Sequence, residues 1–216
     1  MIWVFDAYGT LWDITRIEAA VQRVQIPDSG SFLALWRQKQ LEYAFLRTLT
    51  GDYEPFSVVT RDALQYTLES AGVRVAPKDR EQLWAAWFHP HAFEDAAELL
   101  ESLQGHGRWI LSNGDPGMLA AGIEATGLGK CLEGVVSVDA VRRYKPHPDA
   151  YRLVIETANV SREDVIFVSS NGWDVAGATR FGFQTVWVNR SGAALDRLGI
   201  KPWRVVHRLA DLRGGH

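Results

Sequence analysis

The chain of 216 residues has a single cysteine, Cys131, so it cannot form an intrachain disulfide bond. A lone cysteine is typical of a reducing compartment. No apolar run reaches the roughly 18 residues that a membrane-spanning helix needs. The first residues also lack the basic start and small-residue cleavage site of a secretory signal. These absences predict a cytoplasmic protein that does not act in a membrane.

Neither sign of charge dominates the chain. Twenty-three Lys and Arg residues stand against 26 Asp and Glu residues, a formal net charge of -3. There is no basic stripe and no block of like charge, which argues against nucleic-acid binding and against a charged tail. Apolar residues are abundant and make up 47% of the chain. That share is enough to bury the core of one domain, or of one domain with a large insertion.

Short apolar segments rich in β-branched and aromatic residues predict five strands buried on both faces. Helical patterns separate most of them, and two of these helices have clear starts at Asp115-Pro116 and at His147-Pro148-Asp149. Alternating strands and helices predict a Rossmann-like α/β fold, a parallel sheet flanked by helices on both faces. The predicted strands are Ile2–Phe5, Trp109–Leu111, Val135–Val138, Val165–Val168 and Thr185–Val188.

Residues 14–88 contain no convincing strand. Apolar residues recur there at helical spacing on three separate faces. We therefore predict an all-helical cap domain, residues 14–88, inserted into a core domain made of residues 1–13 and 89–216. The faces comprise Leu33, Trp36, Leu41, Ala44 and Phe45, then Leu64, Leu68 and Ala71, then Leu83, Trp84, Trp87 and Phe88.

Polar residues follow the predicted strands. In an open parallel sheet, ligands bind beyond the carboxyl ends of the strands. Ser and Asn after a strand often stabilise a turn, and a single lysine is often a surface charge. For each residue taken alone, a structural role and a functional role both stay open. The residues concerned are Asp6, Ser112, Asn113, Lys145, Ser169, Asn171 and Asp174.

Asp6 differs from the rest because its strand is predicted to be central and buried. An isolated buried carboxylate is costly unless a charge or several hydrogen bonds compensate it. Lys145 is the natural partner that would keep it ionised. An ionised, oriented and partly dehydrated carboxylate can act as a nucleophile.

Arg37 is a second unusual charge, because its helical spacing from Leu33 and Leu41 places it in an apolar stripe. A guanidinium in that position either reaches the edge of the stripe or pairs with an anion, and spacing alone does not decide. If the helical insertion folds over the sheet edge, Arg37 points toward Asp6.

Four strings along nearly the whole chain resemble the motifs of the haloacid dehalogenase superfamily. They are F-D-A-Y-G-T-L-W-D with the nucleophile at Asp6, L-S-N-G with Ser112, Y-K-P-H-P-D-A-Y with Lys145, and F-V-S-S-N-G-W-D. The phosphatases of that superfamily carry an aspartate as general acid where this chain has Tyr8, and a magnesium-binding carboxylate where it has Ser170. A phenol with a pKa of about 10 is a poor acid at neutral pH, and magnesium favours several hard oxygen ligands.

Two further strings, W-R-Q-K-Q-L-E-Y and S-S-N-x-W-D, resemble the L-2-haloacid dehalogenase branch. The resemblance implies hydrolysis of short-chain (S)-2-haloacids to (R)-2-hydroxy acids and halide. Asp6 would form an ester with inversion at Cα, and water would then hydrolyse that ester. It implies no metal and no other cofactor, and it implies a homodimer. Rival interpretations are a magnesium-dependent phosphatase and a binding protein that has lost activity.

The resemblance also assigns roles to individual residues. Arg37 and Asn113 would hold the departing halide, Lys145 would balance Asp6, and Asp174 would position or deprotonate water with help from Lys145 and Asn171; which of them is the formal base stays open. Thr10, Ser112 and Ser169 would orient Asp6 and the substrate carboxylate, and Tyr151 would support Lys145 and Asp174. The apolar part of the pocket would be lined by residues that could equally serve core packing, namely Tyr8, Gln38, Leu41, Phe56 and Trp173.

Overall fold

The computed structural model describes residues 1–213. Six of its strands form one parallel sheet in the order β5-β4-β1-β6-β7-β8, while β2 and β3 form a separate antiparallel pair. In chain order the strands are β1 (Ile2–Phe5), β2 (Trp12–Asp13), β3 (His91–Ala92), β4 (Gly107–Ser112), β5 (Gly134–Ser137), β6 (Val165–Ser169), β7 (Gln184–Val188) and β8 (Arg204–Val206).

The five predicted strands are confirmed, with two corrections. Val138 lies outside β5 and begins a 3-10 helix, Val138–Val141. The β5 strand is also not buried on both faces, because it forms an edge of the sheet and Val135 is 41% exposed. The prediction missed β8, the opposite edge strand, as well as β2 and β3, whose two residues each are too short to show a period.

Helices connect the strands of the sheet. They are α5 (Ala96–Ser102), α6 (Pro116–Thr126), α7 (Pro148–Ala158) and α8 (Gly172–Phe181). The two predicted helix starts are confirmed, because Asp115 accepts a hydrogen bond from Met118 N at 3.1 Å and His147 accepts one from Asp149 N at 3.2 Å. Such caps satisfy backbone N–H groups that the first turn of a helix leaves free.

Residues 14–88 contain helices and no strand. The α-helices are α1 (Glu18–Arg23), α2 (Ser29–Thr50), α3 (Phe56–Ser70) and α4 (Pro77–Ala85), flanked by 3-10 helices at Ile14–Ile17 and Ala86–Phe88. The prediction is wrong for one residue of the apolar faces, Ala71, because it follows the end of α3 and is exposed. The division into a cap domain and a core domain stays a prediction, and the last residues of the predicted core range, 214–216, lie outside the described part.

The sheet forms the centre of the core. Trp3, Phe5 and Phe167, from the adjacent strands β1 and β6, are almost completely buried. A fully buried side chain of this kind contributes roughly 1.5–3 kcal/mol relative to an exposed one. Because β1 lies between β4 and β6, its carboxyl end is enclosed by the ends of both neighbours. Within residues 1–213, no helix is long and apolar enough to cross a membrane.

Candidate active site

Asp6 immediately follows β1, at the edge where β4 ends in Ser112 and β6 ends in Ser169. Its side chain is nearly buried, with 5% of the residue exposed. Asp6 Oδ1 accepts a hydrogen bond from Lys145 Nζ at 2.8 Å, and Oδ2 accepts one from Asn171 Nδ2 at 2.8 Å. Ser169 Oγ lies at the limit of hydrogen bonding, 3.5 Å from Oδ2. The carboxylate is therefore held in one orientation by neighbours on several elements.

A tight turn after β1 returns Thr10 to Asp6. The Ala7 carbonyl accepts hydrogen bonds from the backbone N–H groups of Thr10 and Leu11, and Gly9 has φ 89°, a conformation that glycine adopts without strain. The Thr10 hydroxyl lies 3.3 Å from Asp6 Oδ2 and accepts a hydrogen bond from Ser170 N at 2.9 Å. The turn thus joins the first and fourth motifs around the carboxylate.

Lys145 is fully buried and uses all three of its donors. Its Nζ donates to Asp6 Oδ1 at 2.8 Å, to the Leu111 carbonyl at 3.0 Å and to Asp174 Oδ2 at 2.7 Å. Burial lowers the pKa of Lys145, but the carboxylates of Asp174 and Asp6 outweigh burial and raise the pKa above its ordinary value. The side chain is therefore an ammonium ion that two carboxylates share.

Asp174 is the second carboxylate of this cluster and is completely buried on α8. Tyr151 donates its hydroxyl to Asp174 Oδ1 at 2.7 Å, while Lys145 donates to Oδ2. Burial raises the pKa of Asp174 to about 6, against the attraction of Lys145 and with a contribution from Asp6. A carboxyl group with this pKa is ionised at neutral pH and can accept a proton during a reaction near that pH.

Ser112 and Asn113 follow β4. Ser112 Oγ accepts a hydrogen bond from Gly114 N at 3.1 Å, so this hydroxyl closes a turn. Asn113 Oδ1 accepts a hydrogen bond from the backbone N–H of Lys145 at 2.9 Å, which directs the other end of the amide away from that contact. The Asn113 Nδ2 group has no hydrogen-bond partner within the described chain. It is therefore a free donor beside the Lys145 backbone.

Arg37 comes from α2 and is half-buried. Its Nη1 donates to Gln40 Oε1 at 3.3 Å, and its guanidinium carbon lies 5.7 Å from the centre of the Trp87 ring. Burial lowers the pKa of Arg37, while the negative charges of Asp6 and Asp174 act in the opposite direction. Arg37 thus lies in the electric field of the sheet edge. It forms no ion pair with a carboxylate of residues 1–213.

The predicted apolar lining is spread over several elements. Tyr8 is buried, and its hydroxyl donates to the Trp87 carbonyl at 2.8 Å. Burial also raises the pKa of Tyr8 far above its ordinary value. Phe56 is buried at the start of α3, whereas Trp173 is half-buried and packs edge-to-face on Phe45. Leu41 is half-buried and Gln38 is exposed, so a contact of Gln38 with substrate stays a prediction.

Sequence reasoning missed three polar residues around this site. Gln40 and Thr60 are fully buried and bonded to each other, Gln40 Nε2 donating to Thr60 Oγ1 at 2.9 Å. Asp115, predicted only as a helix cap, also accepts a hydrogen bond from Ser57 N at 2.8 Å and so connects α6 to the start of α3. The sequence gives one indication of this role for Gln40, which lies three residues after Arg37 in the same apolar stripe of the helix.

The donor set at the sheet edge does not fit a magnesium ion. The space between the carboxylates of Asp6 and Asp174 is occupied by the Lys145 ammonium group. The position of the magnesium-binding carboxylate in the phosphatase motif is occupied here by Ser170, so one charged oxygen ligand is missing. Within residues 1–213, no three His, Cys, Asp or Glu side chains are grouped so that they could hold a metal.

Comparisons with known proteins identify the family of the chain. A family model described as haloacid dehalogenase-like hydrolase matches residues 2–182. The (S)-2-haloacid dehalogenase of Xanthobacter autotrophicus is 46% identical over 196 residues, which are 90% of this chain and 77% of that protein. A haloacetate dehalogenase of Moraxella sp. (strain B) is 41% identical, over 92% of this chain and 89% of that protein.

Solved structures give the same relationship. The L-2-haloacid dehalogenase from Xanthobacter autotrophicus, with chloropropionic acid covalently bound, superposes with a TM-score of 0.90 at 39% identity, covering 99% of this chain and 97% of the other. The motifs, the fold and the relatives together show that this chain belongs to the haloacid dehalogenase-like hydrolases, within the branch of the (S)-2-haloacid dehalogenases, and is an enzyme.

Proposed function

We propose that this enzyme hydrolyses short-chain (S)-2-haloacids to (R)-2-hydroxy acids and halide, through an ester on Asp6 and without a metal. One observation carries the proposal: a carboxylate held by Lys145 and Asn171 influences an arginine, Arg37, that forms no ion pair with a carboxylate of residues 1–213. The covalently bound chloropropionic acid of the Xanthobacter relative supports the same chemistry.

In the first step, an oxygen of Asp6 attacks the substrate Cα on the side opposite the halogen. A C–O bond forms as the carbon–halogen bond breaks, the bonding electrons leave with the halide, and the centre is inverted. No proton is transferred, so no general acid is required. This agrees with the position of Tyr8, whose hydroxyl is bonded to Trp87 and whose pKa is raised. The charge of Arg37 and the free amide donor of Asn113 stabilise the developing halide.

In the second step, water attacks the carboxyl carbon of the Asp6 ester. A base takes one proton from the water and returns it to the oxygen that bridges Asp6 and the substrate, as the bond from this oxygen to the carboxyl carbon breaks. That oxygen leaves as the hydroxyl of the product, and the second water proton is released when the Asp6 carboxylate re-forms. Asp174 is the proposed base, with Lys145 and Asn171 aligning the ester, because its raised pKa matches proton transfer near neutral pH. One oxygen of Asp6 leaves with each product and is replaced from water.

Halide release tests the proposal directly. We expect chelator-treated enzyme to release chloride from (S)-2-chloropropionate, to leave the (R) enantiomer unreacted, and to form (R)-lactate. The matched control is Asp6→Asn, which keeps the size of the side chain and removes the nucleophilic carboxylate. Halide release that survives this change would show that the nucleophile is another residue. Phosphate-ester hydrolysis that a chelator abolishes would instead support the phosphatase interpretation.

Isotope-labelled water gives a second test of the proposed ester intermediate. In a single turnover in ¹⁸O-labelled water, we expect the label in the Asp6 carboxylate and not in the hydroxy acid. If water attacked the substrate carbon directly, the label would appear in the product at once. Peptide mass spectrometry of the enzyme and of the product distinguishes the two routes.

We also propose a homodimer in the cytoplasm, with residues 14–88 as a cap over the site. The apolar side chains Leu46 and Leu49 on α2 and Val58 and Tyr66 on α3 are exposed, with Leu49 at 82%. Exposed apolar groups on neighbouring helices favour association. Light scattering tests this: we expect a dimer for the parent and a monomer for Leu49→Glu.

A further inference from the structure

Gln40 is an uncharged polar residue of α2 with no exposed surface, three residues after Arg37. Residues three apart lie on the same face of a helix. Gln40 Oε1 accepts a hydrogen bond from Arg37 Nη1 at 3.3 Å, and Gln40 Nε2 donates to Thr60 Oγ1 at 2.9 Å. The amide thus connects the guanidinium to the neighbouring helix α3.

The hydrogen bonds determine which way the Gln40 amide points. Thr60 Oγ1 donates its single proton to the Phe56 carbonyl at 2.7 Å, so toward Gln40 this hydroxyl can only accept. The NH₂ group of Gln40 must therefore face Thr60. Its carbonyl oxygen consequently faces Arg37, which has only donors to offer.

A neutral acceptor has a specific consequence for the charge of Arg37. A guanidinium keeps its proton even when burial lowers its pKa. A carboxylate beside it would neutralise that charge and compete with any anion in the site. An amide oxygen fixes the position of the guanidinium and leaves its charge uncompensated.

We propose that Gln40 is a positioning residue for Arg37: held by Thr60, its amide oxygen orients the guanidinium toward the leaving halide without neutralising it. This inference rests on the proposed function and assigns a role to a pair of residues outside the predicted site. It predicts that halide binding depends on the Gln40 acceptor and on its neutrality.

Two substitutions of Gln40 separate position from charge. Gln40→Glu keeps the shape and adds a negative charge, and we expect kcat/KM for (S)-2-chloropropionate to fall by roughly 10²-fold, the scale of a lost electrostatic donor. Gln40→Met keeps the length and removes the acceptor, and we expect a loss of about tenfold. Inhibition by added bromide should weaken in both variants, more strongly in Gln40→Glu.

Thr60→Val tests the same role without altering Gln40. Its matched control is Thr67→Val, because Thr67 is also a fully buried threonine of α3 that donates to a backbone carbonyl, here Ala63 at 2.7 Å, but it has no bond to Gln40. We expect both changes to lower thermal stability, Thr60→Val more than Thr67→Val because it also leaves the buried Gln40 Nε2 donor unpaired. Only Thr60→Val should lower kcat/KM, by roughly three- to tenfold, and weaken bromide inhibition.

The bromide inhibition constant distinguishes positioning from simple support of the fold, because destabilisation reduces the amount of folded enzyme and not its affinity for halide. A folded Gln40→Glu variant with parental kcat/KM and bromide inhibition would overturn the inference. If Gln40→Glu does not fold, equal constants for Thr60→Val and Thr67→Val overturn it. A parent enzyme that releases no halide would contradict the proposed function itself. An active parent whose Gln40 variants keep its kcat/KM and bromide inhibition would contradict only the inference about Gln40.

Discussion

The two cations of the site are held in opposite ways. Lys145, at the sheet edge, is fully buried and donates to two carboxylates and a carbonyl, so its charge is more than balanced. Arg37, on α2, is half-buried, donates to the neutral amide of Gln40 and has no carboxylate partner in residues 1–213. The sheet edge therefore uses its cation to hold the carboxylates in place, and α2 presents a cation whose charge is available to an anion.

This difference gives Lys145 and Arg37 different roles in the proposed reaction. With Asp174 ionised, the positive charges of Lys145 and Arg37 equal the negative charges of Asp6 and Asp174. Esterification of Asp6 removes one negative charge at the sheet edge, where Lys145 retains Asp174 as its partner. The halide formed in the same step carries a negative charge, and Arg37 is the cation with no carboxylate to compete for it.

Removing Lys145 is the change that would disrupt the sheet edge most. Lys145→Met leaves Asp6 and Asp174 buried without a cation, and loss of one partner of a buried ion pair costs about 3–5 kcal/mol. We expect the free energy of unfolding, measured by urea denaturation, to fall by about that amount and halide release to be lost. Adding Asp174→Asn should restore part of the stability, because it removes one of the two unpaired carboxylates. A stability unchanged by Lys145→Met would refute this account of the cluster.

Removing Arg37 should have the opposite profile. Arg37→Met leaves no carboxylate unpaired and removes only the donor to the buried Gln40 amide oxygen, so we expect the free energy of unfolding to fall by about 1–3 kcal/mol, less than in Lys145→Met. The rate constant for halide release should nevertheless fall by roughly 10²- to 10³-fold, because the charge that stabilises the transition state is missing. Stopped-flow halide detection and urea denaturation on the same sample give both numbers. A large stability loss with a small loss of rate would reverse the comparison.

Titration of Asp174 tests the role of the sheet edge in the second step. Only the ionised carboxylate accepts a proton, so we expect ester hydrolysis in single turnovers to fall about tenfold per pH unit below the pKa of Asp174 in the ester. That pKa lies below the value of about 6 in the free enzyme, because esterification removes the Asp6 charge that raises it. The folded pKa lies above the ordinary 3.8, so the folded protein binds this proton more tightly than the unfolded chain. The stability that this proton provides is present at low pH and is lost as the pH rises through about 6.

The control for that titration is Asp174→Asn. Subtracting its pH–stability curve from the parental curve isolates the contribution of this one carboxyl group. Ester hydrolysis by Asp174→Asn at the parental rate would exclude Asp174 as the base.

The smallest expected effect concerns the contact between helices α6 and α3. Asp115 accepts hydrogen bonds from Met118 N at the start of α6 and from Ser57 N at the start of α3. Asp115→Ala removes both, and loss of a helix cap typically costs about 1 kcal/mol. We expect a decrease of that size in the free energy of unfolding, measured by urea denaturation. An unchanged free energy of unfolding would show that neither hydrogen bond contributes to stability.

Much of the core could be predicted from local sequence. The residues of β1 are apolar without interruption, and a strand of that composition has to be buried on both faces, which places Asp6 at a strand end. Strand ends in a parallel sheet share one edge, so Asp6, Lys145, Asn171 and Asp174 could be grouped before any contact was known. The edge strand β8 was missed because a three-residue strand with exposed Val205 has no distinctive pattern.

By itself, the sequence determined the family, the parallel sheet and the identity of the polar residues at its edge, because motifs and hydrophobic periods are local properties of the chain. Only the tertiary structure decided which neutral groups hold the two cations. Lys145 donates to the Leu111 carbonyl across 34 positions, and Gln40, which accepts from Arg37, donates to Thr60 across 20. Such pairings depend on how helices and strands pack together, and packing between distant segments leaves no periodic signal in the sequence.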